Sequence, residues 1–137
     1  MQVQSYLFFS NGQCEEALAF YGKVLGAKTT FLTRYGDVPP GTPVEPGQEN
    51  KVMHCNFTIG DTQIMASDNC AAPGAGMNGF ALSLAPATVE EGKVIFDALA
   101  DGGQVNMPYQ PTFWADGFGM LVDRFGVHWM INVAKPM

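Results

Sequence analysis

His54 and Asn56 stand two residues apart in the run VMHCNFTI, and Tyr6 and Phe8 stand two apart in SYLFF. On a strand, residues two apart share a face, so each pair can present itself to one ligand. An imidazole titrates near neutral pH and can accept, donate or carry a proton. The amide of Asn56 and the phenol of Tyr6 add hydrogen-bonding groups, and Phe8 adds a ring for stacking. These types suit recognition of a small molecule, with His54 the candidate for acid–base work; a hydrogen-bonded structural histidine is the alternative. Phe113 and Trp114, just before Asp116-Gly117, can stack on a ligand or pack in the core. His128 shares a face with Met130 and Asn132 beside a turn. Asp123-Arg124 reads first as turn chemistry. Cys14, Cys55 and Cys70 are odd in number and lack metal-ligand spacing, so they read as reduced thiols.

The elements that must position these groups follow from periodicity. Residues 3–10 alternate as a strand, with Val3, Ser5, Leu7 and Phe9 on one face and Gln4, Tyr6 and Phe8 on the other. Residues 13–25 form a helix, with Cys14, Ala17, Leu18, Tyr21, Val24 and Leu25 on one stripe and Gly26 as its cap. A strand rich in Thr and Phe follows over 27–35. Residues 36–50 hold Pro39, Pro40, Pro43 and Pro46, which excludes a ladder or a helix. This loop is an inert surface segment, a lid or a dimer-contacting flap. Residues 51–59 and 62–68 are strands joined at Gly60-Asp61. Val52, His54, Asn56 and Thr58 are placed on one face of the first. Met53, Cys55, Phe57 and Ile59 are placed on the other, toward the helix.

The second half repeats the pattern. Residues 79–84 read as a strand. Thr88-Val89-Glu90-Glu91 reads as a capping box opening a helix to Ala100, with Val89, Ile95, Phe96 and Leu99 buried. Residues 104–109 read as a strand. Over 112–133 the chain forms a hairpin: Gly117 and Gly119 allow close backbone approach, and Asp123-Arg124-Phe125-Gly126 makes the turn. Val127, Trp129, Ile131 and Val133 then alternate with His128, Met130 and Asn132. The aromatic residues of this hairpin are expected to supply much of the core. Strand, helix and three strands therefore occur twice, and the proline-rich loop accounts for the greater length of the first copy. The expected fold is α+β, one domain over 1–137, with module one over about 1–70, a linker at 71–78 and module two over about 79–137.

A chain of 137 residues buries roughly two thirds of its unfolded surface. Its net charge of −6 and lack of a Lys/Arg cluster argue against nucleic acid and anionic membrane surfaces as partners. No signal peptide or membrane-length apolar run stands in the sequence, so the expected location is cytoplasmic. Gly74-Ala75-Gly76-Met77-Asn78-Gly79 matches the dinucleotide fingerprint, but it precedes a strand rather than a helix and reads as the flexible inter-module linker.

FWADGFG followed by DRFGVHWMIN resembles the closing signature of PhnB-like proteins, in the vicinal oxygen chelate superfamily of glyoxalases, bleomycin-resistance proteins and dioxygenases. The resemblance continues through SYLFFSNGQCEEALAFYGKVLGAK and VMHCNFTIGDTQIMASDN, and so covers nearly the whole chain. It implies two βαβββ modules forming curved mixed sheets around a cavity, and a homodimer. Some relatives carry the label demethylubiquinone methyltransferase, yet no glycine-rich strand-to-helix turn for S-adenosylmethionine stands here. Where relatives show FWGxRYG, with an arginine, this chain has Asp116-Gly117.

The family's metal site draws ligands from the first and last strand of each module. Those positions here hold Gln4 or Tyr6; Ile64, Met65 and Ser67, with Asp68 at the strand end; Phe80 and Leu82; and Met130, where relatives carry a carboxylate. Met, Phe and Leu do not bind hard divalent ions. The expectation is therefore a metal-independent protein without a cofactor. Its small, mostly apolar ligand would meet Tyr6, Phe8, His54, Asn56, Phe113, Trp114 and Met130. The alternative is a lyase, dioxygenase or thiol transferase that recruits a divalent metal through His54, Asp68 and a partner-chain residue; a purely structural dimer ranks third.

Overall fold

Residues 14, 17, 18 and 21 are apolar at helical spacing, and the computed structural model, which describes residues 1–68 and 77–136, buries all four under one helix, α1 (Cys14–Leu25). Gly26 ends it in the left-handed conformation, φ 69°, with its N–H on the Gly22 carbonyl, while the N–H of Ala27 reaches the Tyr21 carbonyl. The strands of this first unit are β1 (Tyr6–Phe9), β2 (Lys28–Arg34), β3 (Val52–Ile59) and β4 (Thr62–Asp68), in the order β1-β4-β3-β2. β1 runs parallel to β4 and the other pairs are antiparallel. Leu7, Phe9, Cys14, Ala17, Tyr21, Cys55, Phe57 and Ala66 make a core between helix and sheet, each almost wholly shielded from water. Tyr21 is its hinge piece, with ring centroids 6.5 Å from Phe9 and 6.3 Å from Phe57.

Three local expectations change in this unit. β1 begins at Tyr6, not at residue 3: its ladder opens with the Met65 N–H on the Ser5 carbonyl, and Val3 lies exposed upstream. Val52 does not share the face of His54; it is 1% exposed and joins the buried set. The cause is a register shift where Thr33 opposes His54 but Arg34 opposes Val52, which breaks the two-residue alternation. Residues 35–37, in front of the proline-rich loop, form a single 3-10 turn (Tyr35–Asp37). The loop itself is tied at its base. Gly36 N–H reaches the Glu49 carbonyl at 2.8 Å, and the Arg34 guanidinium bonds the Asn50 carbonyl while forking onto Glu15 of α1.

The second unit follows the same path: β5 (Leu82–Leu84), α2 (Val89–Ala100), β6 (Gln104–Gln110), β7 (Ala115–Val122) and β8 (His128–Ala134), in the order β5-β8-β7-β6 with β5 parallel to β8. Each half is therefore a βαβββ module with a mixed four-stranded sheet. The chain divides into compact units Met1–Ala75 and Gly76–Met137. From Val127 along β8, Val127, Trp129, Ile131 and Val133 are buried and His128, Met130 and Asn132 are half-buried, as the alternation requires. The Thr88 hydroxyl caps α2 by accepting from Glu91 N–H at 3.1 Å; the Glu91 carboxylate accepts from Ala87 N–H, one residue before the position a capping box would use.

The second unit also departs from its sequence reading. β5 holds only three residues, Leu82 to Leu84. Val89 is 36% exposed, and Gly92 takes its place on the buried side of α2 with Phe96 and Leu99. That exchange has a steric reason. The Tyr109 ring lies against α2 and β7, and a Cβ at either Gly92 or Gly117 would strike its hydroxyl. The hydroxyl donates to the Val89 carbonyl at 2.9 Å. The hairpin core comes from Phe118, Phe125 and Trp129, whereas Phe113 and Trp114 are exposed. No helix of the described residues is long and apolar enough to cross a membrane.

Candidate functional site

Tyr6, His54 and Asn56 reach one another across three strands. β1 pairs with β4, β4 with β3, and Met65 of β4 is the register partner of both Tyr6 and Asn56. The Tyr6 hydroxyl lies 3.0 Å from Nδ1 of His54, and Nε2 of His54 lies 2.9 Å from Oδ1 of Asn56. An amide oxygen only accepts, so with the Asn56 amide in this orientation Nε2 carries the ring proton. Nδ1 is then left to accept from the Tyr6 O–H. In this tautomer the chain of bonds runs Tyr6 to His54 to Asn56. It leaves the Tyr6 oxygen as an acceptor and the Asn56 amide nitrogen as a donor for another molecule.

Rings surround this chain. Tyr6 and Phe8 stand 4.8 Å apart between centroids, Tyr6 and His54 5.5 Å, and Phe31 and His54 6.3 Å. Phe8 and Phe31 are each about half exposed, at 53% and 51%. Large exposed rings beside half-buried polar groups make an amphipathic face. Phe31 was not among the residues singled out from the sequence. Its strand carries a register shift between Thr29 and Phe31, so simple alternation misplaces it.

The other sequence candidates belong to the second unit. Phe113 is 89% and Trp114 44% exposed; they meet edge to face at 4.8 Å, and Trp114 leans on Phe118 at 5.3 Å. Met130 pairs with Met120 on β7 and Ser83 on β5, on the same side of β8 as His128 and Asn132. Oδ1 of Asn132 is buried without a hydrogen-bond partner.

Asp68 does not stand free to hold an ion. It is 3% exposed, its Oδ1 accepts from Cys14 N–H at 2.9 Å, and its Oδ2 accepts from Val52 N–H at 2.8 Å. It tethers the start of α1 to the start of β3, which sequence spacing alone did not reveal. Among the described residues no three His, Cys, Asp or Glu side chains gather as a metal site. Of the ligand positions that the resemblance implies, Phe80, Leu82 and Met130 carry no hard donor atom. Cys14 and Cys55, both buried with sulfurs 3.8 Å apart, are packed against each other. The Cys14 thiol is pushed up, first by its hydrogen bond to the Cys55 sulfur and then by burial, which makes it a poor nucleophile. Cys70 lies outside the described residues.

Two βαβββ modules make the fold of a glyoxylase/bleomycin resistance protein/dioxygenase domain from Frankia sp. EAN1pec, which is 13% identical, covering 98% of each chain with a TM-score of 0.71. With that fold, this chain belongs to the PhnB-like family described as 3-demethylubiquinone-9 3-methyltransferase, whose model matches residues 1–132. Protein YjdN of Escherichia coli K12 is 39% identical over 98% of this chain and 97% of its own length. The crystal structure of PA1353 from Pseudomonas aeruginosa is 41% identical, covers 99% of each chain and gives a TM-score of 0.87. A PhnB protein from Bacillus cereus that carries the same 3-demethylubiquinone-9 3-methyltransferase description is 26% identical over 98% of this chain and 100% of its own, with a TM-score of 0.80.

The family description implies a methyl donor such as S-adenosylmethionine, and the strand-to-helix turns do not fit one. Residues 10–13, between β1 and α1, include one glycine, Gly12; residues 85–88, between β5 and α2, include none. Of the glycine-rich segment 74–79, Gly74 to Gly76 lie outside the described residues. The remainder leads into β5 and not into a helix. A helix N-terminus that would meet a phosphate or carboxylate is thus not offered there.

Proposed function

We propose that the first unit binds a small, uncharged, mostly apolar molecule without a metal, on the face that carries Tyr6, Phe8, Phe31, His54 and Asn56. The carrying observation is the Tyr6–His54–Asn56 hydrogen-bond chain set between two half-exposed rings. Phe8 and Phe31 would take the apolar body by stacking. The Tyr6 oxygen and Asn56 amide would take one donor and one acceptor on the ligand, and His54 would hold both in place. His54 as a general acid or base is the lesser reading, because both ring nitrogens are already engaged. We also propose a cytoplasmic homodimer; Cys14 and Cys55, adjacent but not joined in a disulfide, favour a reducing compartment.

A thermal-shift screen of neutral aromatic and heteroaromatic compounds tests the reading, since a ligand that prefers the folded state raises the melting temperature. Hits should lose affinity in Phe8→Ala, Phe31→Ala and His54→Ala, with Asn56→Ala selective for hits bearing an acceptor. Hits unaffected by all four changes would remove this face from consideration.

A further inference from the structure

The second unit contains a cavity of about 420 Å³, walled by the first turns of α2, the end of β6 and the start of β7. Its volume lies within the range of small-molecule pockets. Val89, the Tyr109 ring and Pro111 supply an apolar wall, and this explains why Val89 stays out of the core. The pocket keeps its shape through packing. Tyr109 is wedged where Gly92 and Gly117 leave room, and its hydroxyl is anchored on the Val89 carbonyl.

The charged groups on the lining decide the class of ligand. Lys93 is neutralised by Asp97 at 2.9 Å. Asp116 has only a long contact, 3.9 Å, to Lys135. Glu90 forms no hydrogen bond or ion pair among the described residues. The positive end of α2 is offset by Glu91, whose carboxylate accepts from Ala87 N–H, so it does not convert the pocket into an anion site. From the apolar wall and the two carboxylates, we infer that this cavity binds a small organic monocation, an amine carrying an apolar or aromatic body, with its ammonium group between Glu90 and Asp116.

Titration of the full-length protein with 2-phenylethylamine and, in parallel, with 3-phenylpropionate tests this, followed by backbone amide chemical shifts at low ionic strength. The amine should bind and shift the amides of residues 89–93, 109, 110 and 116, and the acid of similar size should not. The double variant Glu90→Gln, Asp116→Asn should weaken amine binding about tenfold, as loss of charge-assisted contacts predicts. Val89→Trp, which fills the pocket and keeps both carboxylates, should abolish binding. The inference fails if the acid binds as well as the amine, if shifts fall elsewhere, if the folded double variant binds unchanged, or if the amine produces no shift. Failure here leaves the proposal for the first unit untouched, because no residue is shared.

Discussion

Asp123 accepts three hydrogen bonds inside the last hairpin: Phe125 N–H at 2.8 Å, Val127 N–H at 3.0 Å and the Trp129 indole at 2.9 Å. It is 3% exposed, so each donor would be left dry without it. Asp123→Ala should cost about 3 kcal/mol or more, read as a lower urea midpoint at unchanged slope. A loss below about 0.5 kcal/mol would show that water or rearrangement replaces the carboxylate. Asp68 makes the corresponding argument for metal content. Its oxygens hold Cys14 and Val52 amides, and Met130 brings no hard donor. Protein purified without chelator should carry well under one equivalent of Zn, Ni, Mn or Fe. Elemental analysis giving one equivalent per chain, lost in His54→Ala, would promote the metal-dependent alternative.

At the scale of elements, Tyr109 couples α2 to the sheet of the second unit. Gly117→Ala would press a methyl group into its phenol, a change that should destabilise the fold by about 1–3 kcal/mol. Combined with Tyr109→Ala, which removes the obstacle, the same substitution should cost much less, so the double-mutant cycle should be strongly non-additive. The phenol also brings a pH dependence. Burial, and then the nearby Glu90 carboxylate, raise its pKa above the ordinary value of 10.0. A group with a raised pKa stabilises the fold fully below its unfolded value and loses that contribution as pH rises through the folded one. Stability should therefore fall above pH 10, where the phenolate can no longer donate to the Val89 carbonyl. Tyr109→Phe should flatten that part of the alkaline profile, and an unchanged profile would assign the loss to other groups.

For the whole molecule, the duplicated path of strand, helix and three strands is the organising fact, and family membership follows from matches that span nearly the full chain. The low charge, 15% of residues, and 47% apolar composition fit a chain with further surface to cover. We expect light scattering at micromolar concentration to give twice the 14.8 kDa chain mass. A mass of one chain at high concentration would refute the dimer.

Sequence by itself determined the repeat, because binary patterning over whole elements survives small local errors: the stripe of Cys14, Ala17, Leu18 and Tyr21, and the alternation of Val127 to Val133, each have only one periodic reading. It also brought His54, Asn56 and Tyr6 to neighbouring positions on one sheet face, since two-residue spacing fixes a face once the apolar side is known. The rest depended on contacts between distant segments. Val52 turned inward and Phe31 joined His54 because bulges shift the ladder by one residue, a displacement local composition does not record. Phe113 and Trp114 are exposed because their hydrophobicity does not say whether anything covers them. Asp68 and Asp123 became internal acceptors, and Tyr109 found the space left by Gly92 and Gly117, only when strands and helices far apart in sequence closed around them. Buried hydrogen bonds and steric fit are properties of that closure, and so only the tertiary structure could decide them.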